Sequence, residues 1–520
     1  MFRTKKTVKA GALALLASAI LTGGCSSNQG AESTPSASAD PGAGASPTAS
    51  AAVQEGAGTE DFVTISWYMR KPIDNVKDQE AVEAEANKTI KEKLNANLKF
   101  NLIDVASWDD KMKLMSAAGE SYDLVFTSGW TNRIDLNVQK GAFLPLDDLL
   151  EKYGQDILEK VDPRAWKAVT FNGQIMGVPA QTPYSQPMAY VFKKEFVDKY
   201  QFNYKEVKSL QDLEPFLETI KQNEPGIIPL LAVGSATMPG LLSFDYTNIT
   251  NGVLYDEEND AVIPFYDVEV NMNNYRTLND YYKKGYVAKD AAIKTDWMAE
   301  AKSGKYAVQR DSGGYTEDGS KSTGVLGFPT AEALAGYPLI QTGSMSGAVT
   351  AISKTSKNPE RAMMLLNLIW KDKTLSNTLA YGIEDKNYTV TSGKGTDNPT
   401  IEANSGAAQT WAIWHNWLGP LWDQWDSNWN STEALEMMRK NNDTSETSKL
   451  LGFIFNPDPV KLEVAQVNAV FTEVNPILNT GSMQDFDQYI EEFKQKLKNA
   501  GIDKLQAEVE KQIDEWKKQN

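Results

Sequence analysis

The sequence predicts an α/β protein of two lobes with a helix-rich C-terminal region, and three observations carry that expectation. Residues 63 to 126 alternate strand and helix patterns in the order β-α-β-α-β, the signature of a parallel sheet covered on both faces. A second α/β series begins near Met188, and the stretch from Pro179 to Pro183 reads as the join between the two. After Pro359 helical patterns dominate to the end of the chain.

Element by element, Val63, Ile65 and Trp67 alternate with Thr64, Ser66 and Tyr68, the period of a strand. Val82, Ala86, Ile90 and Leu94 recur every four residues behind the potential caps Asp74 and Asn75, which predicts a helix. Leu98, Phe100 and Leu102 alternate again, followed by a helix from Trp108 to Ala118 and a short strand from Leu124 to Phe126. Asn172 and Gly173 sit between Val169 to Phe171 and Gln174 to Val178, an Asn-Gly hairpin turn, and Pro179 closes the unit. The second series holds a strand from Met188 to Phe192, a helix from Lys194, a helix from Ser209 to Lys221 and a strand from Ile227 to Val233. The acidic run from Asp256 to Asp260 lies between Val253 to Tyr255 and Ala261 to Phe265. A calcium loop of the EF-hand type needs Gly at its sixth position and a terminal Glu, both missing here, so a solvated hairpin turn is expected. Lys and Glu alternate from Phe486 to Asn520, which suits a solvent-facing amphipathic surface.

With 520 residues, 41% of them hydrophobic, the chain can bury a large core, and its size predicts two domains. Sixty-nine acids against 52 bases give a net charge of -17, which excludes a basic face dense enough to neutralise nucleic acid. A single Cys and a single His rule out an intrachain disulfide and a structural zinc site, and no cofactor or metal is expected. Only His415 offers an imidazole base, and the nucleophile-elbow pattern G-x-S-x-G is absent, so a Ser/His/Asp hydrolase is not expected.

At the N-terminus, Arg3, Lys5, Lys6 and Lys9 precede an apolar run from Ala10 to Leu21, and small residues then lead to Cys25. This is a secretion signal, too short for a permanent span. It resembles a bacterial lipoprotein signal, which implies cleavage after residue 24 and a lipid on the Cys25 thiol. Residues 26 to 60 are mainly Ser, Ala, Gly, Pro and Thr and read as a disordered tether with a reach on the order of 30 Å. Lipid and tether imply a folded body anchored to a membrane and facing outwards.

Further motifs recur in a familiar order: SYDLVFTSGW at Ser121 to Trp130, KGAFLPLDDLL at Lys140 to Leu150, NGQIMGVPA at Asn172 to Ala180, SGKYAVQRD at Ser303 to Asp311 and GAVTAISKTSKNPERAMMLLNLIW at Gly347 to Trp370. From Phe62 to the C-terminus the chain resembles the extracellular solute-binding proteins, family 1, of ABC importers, the group of maltose-binding protein. Its end, including LAYGIEDKNY at Leu379 to Tyr388, resembles the Firmicute lipoprotein subgroup with an extra C-terminal region of unknown function. The resemblance implies a type II periplasmic-binding-protein-like fold, with a hinge and a ligand cleft, acting as a monomer. It implies residues 61–180 and 337–385 as lobe 1, and 181–336 and 386–520 as lobe 2 with the C-terminal helices. It further implies closure on a ligand, delivery to the transmembrane subunits of an ABC permease, and no catalytic residue.

Candidate ligand contacts follow from aromatic residues near strand ends. Of 13 Trp, six fall at Trp411, Trp414, Trp417, Trp422, Trp425 and Trp429, and Trp411, Trp414 and Leu418 could share one helical stripe before Pro420. That stripe is either a packed helix face or a platform for sugar rings, with Trp414 and Trp417 as its candidates. Trp67 and Trp130 lie at carboxyl ends of predicted parallel strands, where open α/β sheets place ligands, and Trp297 is a further aromatic candidate. Tyr315, soon after Gly313 and Gly314, matches the place where the maltose-binding type carries a stacking aromatic. Asn132, Gln181, Tyr184, Arg310 and Asp311 are the candidate hydrogen-bonding partners for hydroxyls. The reading is a lipid-anchored receptor for a carbohydrate, most naturally an oligosaccharide. A surface glycoside hydrolase, built on two carboxylates 5 to 9.5 Å apart, and the ligand-binding subunit of a membrane sensor stay open beside it.

Overall fold

The computed structural model describes residues 61–311 and 314–519. The signal segment, Cys25, the tether and Gly313 lie outside the described residues. Among the described residues no helix is long and apolar enough to cross a membrane.

The first lobe is built on a five-stranded sheet in the order Ala96–Ile103, Val63–Arg70, Leu124–Thr127, Val349–Ile352, Val178–Pro179. The first three strands run parallel, and Val349–Ile352 runs antiparallel to both its neighbours. The alternation seen in the sequence puts Ile65, Trp67 and Met69 on one wholly buried face, and the helix Gln79–Leu94 lays Val82, Ala86 and Ile90 into the same core. The Asn-Gly hairpin forms between Thr170–Phe171 and Gln174–Ile175, with φ of 51° at Asn172 and 77° at Gly173, the paired positive values such a turn demands.

The second lobe holds a four-stranded sheet, Thr330–Gly336, Met188–Lys193, Tyr306–Arg310 and Ile228–Leu230, and a three-stranded one, Ala261–Pro264, Val253–Asp256 and Tyr246–Thr250. The last of these escapes the sequence because Thr247, Asn248 and Thr250 leave it without an apolar face. Asp256 turns its carboxylate back to accept from the amides of Glu258 and Asn259 at 3.0 and 2.9 Å, which closes the acidic turn on itself. Three C-terminal helices, Lys461–Leu478, Phe486–Asn499 and Ile502–Lys517, complete this lobe's core. The last two seal it: Phe486, Ile490, Phe493, Leu497, Leu505 and Val509 are buried, so the region from Phe486 is a half-buried lid rather than a purely solvent-facing surface. Asp485 caps the second of these helices by accepting from the amide of Gln488 at 2.9 Å. Asp485→Ala is expected to lower the unfolding free energy by about 1 kcal/mol, read as a shifted urea midpoint at unchanged slope.

The lobe boundary expected at 385/386 is displaced. Tyr388, Ile401, Ala403, Trp411, Ile413, Leu418 and Trp425 all belong to the first core, so the chain stays in lobe 1 to about residue 430. Two short strands, Tyr388–Ser392 and Thr400–Ala403, joined by Asp426–Ser427, organise this stretch in place of helices. The turn before it is structural. Asp78, at the start of the first helix, takes an ion pair from Lys386 at 2.7 Å and a hydrogen bond from Asn387 Nδ2 at 2.8 Å. Burial pushes the Asp78 carboxyl up, but hydrogen bonds from Lys386, Thr410 and Asn387 outweigh it and hold the group below the usual carboxylate range.

Three strands of chain connect the lobes: 180–187, 337–348 and the segment carrying the helix Thr432–Thr444. Asn442 ties the third to the first, its Oδ1 accepting from the Tyr184 amide at 2.7 Å and its Nδ2 donating to the Thr182 carbonyl at 2.8 Å, and the Ser185 hydroxyl donates to the Pro338 carbonyl of the second at 2.7 Å. Arg164, held by Asp162 at 2.7 Å, donates to the Asn442 carbonyl from the first lobe.

Candidate ligand cleft

The topology aims both sheets at one another. Val63–Arg70, Leu124–Thr127 and Val178–Pro179 share a direction, and the chain leaves Pro179 for the second lobe, so their carboxyl ends face it. On the other side Met188 begins its strand beside Gly336, and Arg310 ends its strand beside Tyr190, so these ends face back.

The first lobe presents a row of indoles. Trp130, just past the third strand, is 53% exposed, and its Nε1 donates to the Gly347 carbonyl at 2.8 Å. The Arg70 guanidinium covers one of its faces at 4.9 Å. Phe126 lies 6.5 Å from Trp130 and 4.9 Å from Trp417, and one turn back along the chain Trp414, 38% exposed, stands 5.7 Å from Trp429. Trp429 in turn lines a cavity of about 510 Å³ whose opposite wall is Tyr315, Thr316 and Lys321 of the second lobe, with the helix Thr432–Thr444 along its side. Near this wall Arg310 lies over Trp297 at 5.2 Å and donates to the Thr237 carbonyl at 3.1 Å, while Asp311 accepts weakly from the Ala189 amide at 3.4 Å. Burial raises the Tyr315 hydroxyl above its usual range, with the Glu317 charge adding to the shift, so the ring enters the cavity as a neutral phenol.

Four sequence candidates do not reach this surface. Trp67 is fully buried in the first core, 5.7 Å from Phe100, because it shares the inward parity of Ile65. Asn132 sits at φ 40° and donates to the Phe126 carbonyl at 2.9 Å, its side chain spent on shaping the turn after Trp130. Gln181 is buried, bonding the Lys160 carbonyl and the Trp422 amide, and the Tyr184 hydroxyl returns to the Ala180 carbonyl at 3.2 Å. Both hold the hinge. Nor do Trp411 and Trp414 form a helical stripe: helix covers only His415–Leu418, and Trp411 is buried with its Nε1 on the Leu379 carbonyl. Arg70 and Trp429 are the residues that the sequence candidates missed. Trp429 stood in the Trp-rich run, but its ring contact with Trp414 depends on the tertiary path of the chain between them.

His415 is no catalyst. It is buried, and its ring packs 5.0 Å from Tyr381. Asn377 Oδ1 accepts from the Trp425 amide and Asn377 Nδ2 donates to two carbonyls, so His415 Nε2 must be the donor in its 3.0 Å bond to Asn377 Oδ1. Among the described residues no group of three or more His, Cys, Asp or Glu could hold a metal ion.

Comparison with known proteins agrees with this architecture. The family model described as bacterial extracellular solute-binding protein matches residues 74–374, and one described as a domain of unknown function matches 449–518. A carbohydrate ABC transporter substrate-binding protein of Streptococcus pneumoniae is 30% identical over 84% of this chain and 87% of its own length. The solved N-glycan transport solute binding protein of the same organism is 28% identical, covers 87% of this chain and 98% of its own, and superposes with a TM-score of 0.75. The same relative in complex with Man5GlcNAc covers 88% of this chain and 99% of its own, with 28% identity and a TM-score of 0.62. An extracellular solute-binding protein of Bifidobacterium longum subsp. infantis, 15% identical with a TM-score of 0.58, shares the fold over 87% of this chain and 98% of its own.

Proposed function

The chain belongs to the bacterial extracellular solute-binding proteins, and we propose that it captures an oligosaccharide between its lobes and delivers it to an ABC permease. The relatives are substrate-binding proteins of transporters, not enzymes, so binding is the whole of the chemistry. What carries the carbohydrate reading is Trp429 facing Tyr315 across one cavity, with Trp414 beside it and the exposed indole of Trp130 on the same lobe. Apolar faces of sugar rings pack on such indoles, while Arg310 and Asp311 across the cleft serve the hydroxyls.

Closure follows from the same layout. A ligand that touches the indoles of one lobe and Tyr315 of the other binds the closed form more tightly, and that difference in affinity is what shifts the lobes. Cys25 carries the lipid, and the tether keeps the monomeric body at the outer membrane face, which raises its effective concentration at the permease.

The test is a thermal-shift titration of residues 60–520 against glycans graded by class and size, with amino acids, peptides and polyamines alongside. The expected result is a saturable rise in melting temperature with one glycan class and no product released. A rise only with a non-sugar class overturns the carbohydrate assignment.

A further inference from the structure

A second cavity of about 460 Å³ opens between the lobes, and its far wall belongs to the C-terminal region whose family model carries no function. On the first-lobe side it begins at Gly129, the residue before Trp130, and takes in Arg133 and Asp135. Opposite stand Asn248 and Ile249 of the strand Tyr246–Thr250, and Phe455 of the loop leading into the helix Lys461–Leu478. The row of indoles thus has a cavity at each end: the Tyr315 cavity beyond Trp429, and this one beside Trp130.

Its chemistry fits more sugar. Phe455 is a half-buried aromatic ring. Arg133 grips the buried Asp135 through Nε at 3.0 Å and one terminal nitrogen at 2.5 Å, which leaves its other terminal nitrogen outside this ion pair. A ring face across the cavity from a guanidinium fixed by Asp135, with its other terminal nitrogen still to donate, offers a pyranose an apolar platform and a directed donor for its hydroxyls. The wall is also built to stay in place: Thr342 Oγ1 accepts from the Gly452 amide at 2.8 Å, and Phe453 is buried in the second core.

We propose that the C-terminal region is a size selector, its leading loop forming with Arg133 an outer subsite for the sugars of a large glycan that extend past Trp130. This rests on the carbohydrate reading above. The experiment compares affinities of the whole body for Man1GlcNAc and Man5GlcNAc in the wild type, in Phe455→Ala, and in Asn248→Trp. The last is an exposed strand position where an indole plugs the cavity without removing any packing.

Both variants are expected to weaken binding of the larger glycan about tenfold while changing the smaller less than twofold, at melting temperatures near the wild type. Equal losses on both glycans, or none on the larger, overturn the subsite. Should Phe455→Ala fold poorly, Asn248→Trp alone decides. Binding of neither glycan by the wild type overturns instead the carbohydrate reading for this class, and the size selector with it.

Discussion

Trp130→Ala is expected to weaken glycan binding by roughly 10- to 100-fold, about 1.4 to 2.8 kcal/mol, with the melting temperature of the free protein lowered by only about a few degrees. The split follows from its position. With 53% of the residue exposed, just under half of its area contributes to the folded state, so truncation costs about 2 to 3 kcal/mol of a large body's stability and leaves it folded. The ring is nevertheless fixed: Nε1 is anchored on the Gly347 carbonyl at 2.8 Å and Arg70 holds one face, leaving the other to a sugar. A side chain held in place before the ligand arrives loses no rotamer freedom on binding, so its contact area converts efficiently to affinity. Trp130→Phe keeps an aromatic face but loses the anchoring hydrogen bond, and a loss of roughly threefold is expected. Calorimetric titration with the glycan found by thermal shift measures both. An unchanged affinity for Trp130→Ala would remove the indole row from the site.

Particular residues show how far the site was legible beforehand. Strand parity alone places Ile65, Trp67 and Met69 inward and Tyr68 and Arg70 outward, so the burial of Trp67 and the arrival of Arg70 beside Trp130 were both written in the period of the first strand. The strand-end rule selected Trp67 against that parity, and parity wins because a side chain's face is set before its position along the strand matters. Gln181 and Tyr184 are different. Their partners, Lys160, Trp422 and Asn442, lie as far as 258 residues away in sequence, and no local pattern announces them. The same holds for the stretch from Tyr388 to Trp429. It has neither helical nor strand period, and it joins the first lobe through pairings such as the Lys77 amide on the Thr410 carbonyl and Trp411 Nε1 on the Leu379 carbonyl, which a pattern reading cannot see. Local elements and family motifs were therefore readable, while the third hinge segment and the place of Trp429 depend on tertiary closure.

The one histidine makes the fold acid-sensitive in a way that can be isolated. Burial, assisted by the Lys373 charge, pulls the His415 imidazole down to about 3, against about 6.5 in the unfolded chain. Between those values the unfolded state binds the proton and the folded state does not, so stability rises with pH through this window. It is fully present above about 6.5 and is lost as pH falls, at up to about 1.4 kcal/mol per pH unit, until the folded imidazole itself protonates. From pH 7.5 to 4.5 the loss from this residue is on the order of 3 kcal/mol. Carboxylates add their own acid dependence below this range, so the wild type alone cannot report it. His415→Gln retains a donor toward Asn377 Oδ1 but has no proton to gain. Its urea-unfolding free energy is expected to fall at neutral pH through imperfect packing, and then to decline less steeply than the wild type's between pH 6.5 and 4.5. Parallel pH profiles for the two proteins would mean that His415 protonates in the folded state, against a ring enclosed by Tyr381, Asn377 and a nearby cation.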